Sequence, residues 1–165
     1  MENKPKAGPK DVFLHLLSII TLYVSAGALI EILFSFVNIL FPDALYARDS
    51  WYVESMQNSM RFGVSLLIIV FPAYLITNWV LGKGYAAEPE KKNVRIRKWL
   101  IYLTLFLSAL VLIGDLVVLV NGLLQGELTT AFILKVVSVF VVIGGIFLYY
   151  LWDVRRHSEP VNPAV

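Results

Sequence analysis

Between Trp99 and Trp152 the chain is apolar almost without a break, and only Asp115, Glu127 and Lys135 carry formal charge. The stretch is more than twice the roughly 20 residues that cross a hydrocarbon core of about 30 Å, so it reads as two membrane-spanning helices joined by a turn. The turn falls at Gln125, Gly126, Glu127 and Leu128, with Thr129 or Thr130 placed to cap the second arm. Asp115 and Lys135 then lie within the membrane. A charge there costs about 2.5 to 3.5 kcal/mol on insertion scales, so such residues face a bundle interior and find partners.

The rest of the chain repeats the pattern. A nearly continuous apolar run covers 12–41, about 45 Å if wholly helical, and is too long for the core of a signal peptide; it is expected to remain on the mature protein. Pro42 and Asp43 end it. Within 43–60, Leu45, Tyr52, Met56 and Met60 fall near one helical face, opposite Arg48, Asp49 and Glu54, which predicts a short amphipathic helix at the interface, capped by Asp43. A second span covers 62–81, with Pro72 expected to bend it. The linker 82–98 holds glycines, Pro89 and mixed charge, with Asn93 as a candidate cap, and spans over 99–124 and 129–152 precede a polar tail, 153–165. The expected fold is all-α, a single four-transmembrane-helix bundle running up-down-up-down, with the interfacial helix between spans one and two.

Orientation follows from the basic residues. The N-terminal segment holds three Lys or Arg, the linker six and the tail two, against only Arg48 and Arg61 on the other side. The positive-inside rule therefore places both termini in the cytoplasm of a cell membrane. Trp51, Tyr52, Trp79, Trp99, Tyr149, Tyr150 and Trp152 sit near span ends, where interfacial aromatics belong. A net charge of +2 is too small to imply a nucleic-acid partner, and the absence of cysteine excludes disulfides, thiolate nucleophiles and cysteine metal sites. With only two histidines, no metal or other cofactor is expected.

Three segments carry a resemblance: PKDVFLHLLSIITLYVSA near the start, YLTLFLSALVLIGDLVVLVNGLLQGELTTAFILKV in the centre and YYLWDVRR at the end. Together they resemble an uncharacterised family of small bacterial membrane proteins, a domain of unknown function. The resemblance implies a four-helix domain of the bacterial inner membrane. It implies no activity, cofactor or site residue.

Site candidates come from charge and helical spacing. At 1.5 Å per residue, Glu31, Asp115 and Lys135 lie roughly 16, 14 and 9 Å below the outer ends of their spans. Gly27, Glu31, Ser35 and Asn38 share a stripe of span one; Thr104, Ser108, Asp115 and Gly122 share one of span three; Arg61, Ser65 and Pro72 one of span two; Lys135, Ser138, Tyr149 and Asp153 one of span four. Turned inward, these faces predict an outward-open cluster of Glu31, Asp115, Lys135 and Arg61, supported by Ser35, Asn38, Ser108 and Asn121, in which Lys135 meets Asp115 or Glu31. The segment 42–60 is long enough to act as its lid. Two acids facing one base leave a net charge, a protonated carboxyl or a bond to Arg61.

One reading is a proton or ion pathway, or a small polar-ligand site. The other is polar glue in a structural or interaction subunit, a scaffold or lipid-binding protein without transport. Asp153 with Arg155 and Arg156, facing Arg97 and Lys98, reads as an ion-pair network, while Arg97, Lys98, Arg155 and Arg156 also suit lipid headgroups. His15 reads as a satisfied surface residue, and Gly122, Gly144 and Gly145 as sites of close helix contact. No GxSxG, HExxH, Walker loop or GxGxxG occurs, so an enzyme is not expected. Membrane lipids are the expected partners, with a homo-oligomer or other membrane proteins for a pore too small to form within four helices.

Overall fold

The structure, a computed structural model, describes residues 8–42, 49–87, 95–126 and 128–156. These form helices α1 Pro9–Leu40, α2 Ser50–Ala87, α3 Arg95–Gln125 and α4 Thr130–Arg156, and among the described residues there is no strand. All four are long and apolar enough to cross a membrane. Their outer surface is apolar too, with Ile68, Ile69, Val117 and Leu148 among its exposed side chains. Such a surface is suited to lipid and not to water, and the chain is a multi-pass membrane protein.

Local chemistry sets the helix ends. Pro9 opens α1, where its missing N–H would have no partner in any case, and the Asp11 carboxylate accepts from the Gly8 N–H at 3.3 Å. Gly126 closes α3 in the left-handed conformation, φ +73°, donating its N–H to the Leu123 carbonyl at 3.2 Å. Thr129 caps α4, its Oγ1 accepting from the Phe132 N–H at 3.2 Å. The proposed caps Asp43 and Asn93, and Glu127 of the turn, lie outside the described residues.

The second helix differs from expectation. From Ser50 to Ala87 it is continuous, so 50–60 are its first three turns and not a separate interfacial element. Between Ser50 and Pro72 Gly63 is the poorest helix former, and a single glycine costs about 1 kcal/mol, too little to break a helix already in progress. The helix also passes through Pro72.

Contacts bring the start of α1, the end of α2, the start of α3 and the end of α4 to one end of the bundle, hereafter the terminal end. His15 meets Tyr85, and Arg97 meets Asp153. At the opposite end Asn38 meets Met56, and Gly122 lies against Phe132. Helix α1 packs against all three others, whereas the α2 backbone comes close only to α1 among the described residues and reaches α3 and α4 through side chains such as Tyr85 and Tyr74. The buried face of α1 is small and polar, with Ser18, Thr21, Ser25, Ala28 and Ser35, as expected where lipid leaves helix association to close packing. At Gly63 the α2 backbone lies close against α1, and an added Cβ would come within 2.9 Å of Ile32 Cγ1 and 3.2 Å of the Ala28 carbonyl oxygen.

The glycine expectation is half corrected. Gly122 does sit in a tight contact, a Cβ there falling 2.6 Å from the Phe132 ring, but Gly144 and Gly145 face open space and hold no helix close. Most hydroxyls likewise serve their own helix and not a neighbour. Thr77 bonds the Ala73 carbonyl at 2.7 Å, Ser65 that of Arg61 at 2.8 Å, and Ser108 that of Thr104. Interhelical hydroxyl bonds are few: Tyr23 donates to Thr104 Oγ1 at 3.0 Å, since that oxygen already gives its own proton to the Leu100 carbonyl.

Candidate functional site

The charges singled out in the sequence do not assemble. Glu31 and Arg61 are exposed, and Arg61 reaches only Asn58 on its own helix, at 3.4 Å. Lys135 is half-buried with its ammonium 5.9 Å from the centre of the Phe34 ring, a cation–π distance. Asp115 is half-buried, and its Oδ2 is enclosed without a hydrogen-bond partner among the described residues. No hydrogen bond or ion pair among those residues joins any two of the four. Of the supporting side chains, Ser35 and Ser108 are buried, Asn38 donates toward Met56 Sδ at 3.3 Å, and Asn121 is exposed.

Polar chemistry converges instead at the terminal end, in an open cavity of about 450 Å³ to which all four helices contribute. His15 and Ser18 come from α1, Asn78 and Tyr85 from α2, Arg97 from α3, and Tyr150 and Asp153 from α4. Spacing puts them there. Ser18 follows His15 by three residues, Tyr85 follows Asn78 by seven and Asp153 follows Tyr150 by three, so each pair shares a helix face.

The hydrogen bonds define their state. The Asp11 carbonyl, which can only accept, lies 2.7 Å from His15 Nδ1, so Nδ1 carries a proton. Tyr85 lies 2.5 Å from Nε2 and donates its hydroxyl proton to it when the ring is neutral. Ser18 donates to Asn78 Oδ1 at 3.2 Å, and Asn78 Nδ2 donates to the Tyr74 carbonyl at 2.9 Å. Arg97 Nη2 bonds Asp153 Oδ2 at 3.0 Å, with the guanidinium 5.3 Å from the Tyr85 ring centre. The wall thus pairs one cation with one anion and offers several neutral donors and acceptors. Among the described residues no group of three His, Asp or Glu is arranged for a metal.

His15 is buried, 7% exposed, and bonded through both ring nitrogens, so it is not the surface residue expected. The Arg97–Asp153 pair realises part of the expected ion-pair network, while Lys98, Arg155 and Arg156 are exposed beside it and Arg156 stacks on Trp152 at 4.1 Å. Asn78 and Tyr85 were not singled out, because a search guided by formal charge in mid-membrane passes over neutral polar groups near helix ends. The available signal was their helical spacing, read together with the antiparallel neighbour that brings His15 and Ser18 opposite.

A family model described as a domain of unknown function, DUF5671, matches residues 11–150. Neither a curated protein nor a solved structure matches the chain.

Proposed function

The chain belongs to the DUF5671 family, whose description names no activity, and we propose that it is a non-enzymatic membrane protein that binds a small polar group in the terminal-end cavity. One observation carries this reading: side chains from four separate helices meet around one 450 Å³ opening, where, among the described residues, neutral donors and acceptors surround the Arg97–Asp153 ion pair. Convergent polar groups in an otherwise apolar molecule mark a binding site. The basic residues on the neighbouring segments support a reading in which this end, with both termini, lies on the cytoplasmic side of a cell membrane.

The absence of cysteine makes the test clean. In the Ser18→Cys protein the thiol lines the cavity, whereas in Ser108→Cys it is buried away from it. A water-soluble thiol reagent should label position 18 at least tenfold faster than position 108. Equal rates would mean that no water-filled cavity exists, and the reading would fail.

Movement of protons or small ions is the second reading, and the enclosed, unpartnered Oδ2 of Asp115 favours it. Reconstituted vesicles should then show a pH- or ion-dependent flux that falls in Asp115→Asn while folding is retained. An unchanged flux removes Asp115 from the mechanism.

A further inference from the structure

A second opening lies against the first. A groove of about 490 Å³ runs over α1 between α2 and α4, and Tyr74, Tyr149 and Tyr150 line both it and the polar cavity. Its other walls are Leu22 and Leu29, Leu67 and Phe71, and Val142 and Ile146. The α2 and α4 backbones stay apart among the described residues, and the Tyr74 and Tyr150 side chains bridge them at one end of the groove, which beyond that bridge opens sideways between the two helices, toward lipid. Ser25 lies in this groove, 6% exposed, and its Oγ has no partner among the described residues. A buried hydroxyl without a partner in an apolar groove is costly, and an occupant carrying an acceptor would relieve it.

We propose that cavity and groove together hold one phospholipid with a zwitterionic, amine-bearing headgroup, its phosphate at Arg97, its ammonium at Asp153 and one acyl chain along the groove. The proposal rests on the cavity reading above and adds the ligand class. Charge selects the headgroup: the cavity wall pairs one guanidinium with one carboxylate, matching a zwitterion, whereas a purely anionic headgroup would face Asp153 as well. Depth selects the chain. From Leu22 to Leu29 the groove spans about 10 Å along the middle of α1, at the depth of acyl chains.

Gly145 provides the test, because it lines the groove and an added Cβ there meets nothing within 4 Å. Delipidated protein is incubated with dioleoylphosphatidylethanolamine, dioleoylphosphatidylglycerol or diolein, and bound lipid is read by native mass spectrometry. Phosphatidylethanolamine should bind one to one, at least fivefold more than the other two. Gly145→Leu should lower its binding at least tenfold, and Gly114→Leu, at another glycine with open space that lines neither opening, should leave it unchanged. Asp153→Asn should abolish the preference for phosphatidylethanolamine over phosphatidylglycerol. Equal binding of the three lipids, or full binding by folded Gly145→Leu, overturns the proposal. A phosphatidylethanolamine with a photoreactive acyl chain gives a readout free of groove variants: crosslinks should fall at Leu67 and Val142, and crosslinks confined to outward residues such as Val117 would refute the groove. Glycerophosphoethanolamine, which has no chains, separates the two readings by protecting Ser18→Cys from the thiol reagent. Protection together with full lipid binding by Gly145→Leu leaves the cavity reading standing and removes the groove, while an unlabelled Ser18→Cys removes both.

Discussion

The ion pair Arg97–Asp153 is partly shielded, its side chains 18% and 24% exposed, and it ties the start of α3 to the end of α4. Removing either partner costs the other its charge-assisted bond, so Arg97→Gln and Asp153→Asn should each destabilise by about 1 to 3 kcal/mol, and the double variant by less than their sum. Thermal or denaturant unfolding in detergent of the four proteins in that cycle measures the coupling. Lys135 is a different case. With Phe34 as its observed neighbour and no acid bonded to it among the described residues, Lys135→Met should lose only about 0.5 to 2 kcal/mol, and combining it with Asp115→Asn should be additive within about 0.5 kcal/mol. A larger coupling would show that the two side chains do meet. From the sequence the pairing looked necessary, because an isolated charge at depth is costly. The structure places Lys135 only five residues inside the start of α4, close enough to the helix end for its long stem to lead the ammonium outward.

Among the helices, α1 and α2 share the most extensive contact, and Gly63 sits within it. An alanine there must displace Ile32 and the Ala28 backbone, so Gly63→Ala should destabilise by about 1 to 3 kcal/mol. Gly144→Ala, in open space, should be neutral or slightly stabilising by helix propensity. Unfolding of the two variants side by side tests the contrast; a loss confined to Gly144→Ala would mean that the α1–α2 contact is looser than described. The cap at Thr129 and the turn at Gly126 were legible from sequence because both are decided within four residues. The glycine contacts were not, since a glycine's role depends on which helix lies opposite. Continuity of α2 through 50–60 was missed for a related reason: an amphipathic first segment suits an interfacial helix and the overhanging turns of a spanning one equally well.

For the whole molecule the orientation is directly testable. Single cysteines at Ser50 and Ala86, at opposite ends of α2, should respond differently to an impermeant reagent applied to intact cells, with only position 50 labelled. Labelling at position 86 alone would invert the assignment and move the terminal-end cavity to the outer face. The number of spanning helices and the membrane setting were set by sequence alone, because hydrocarbon leaves the backbone no hydrogen-bond partner outside its own helix or a closed barrel, and apolar length suffices to count spans. Which faces turn inward was decided only by the tertiary structure. In lipid a helix gains little by hiding apolar side chains, so its sequence carries no clear stripe for the core, and charged residues such as Glu31 and Arg61 end on the outside while small and neutral polar ones, Ser18, Ala28, Ser35 and Thr104, are buried. The cavity at the terminal end exists because these faces, once packed, bring His15, Asn78, Tyr85, Arg97 and Asp153 from four distant stretches of chain around one opening; spacing within a helix sets which residues share a face, and packing alone decides which faces meet.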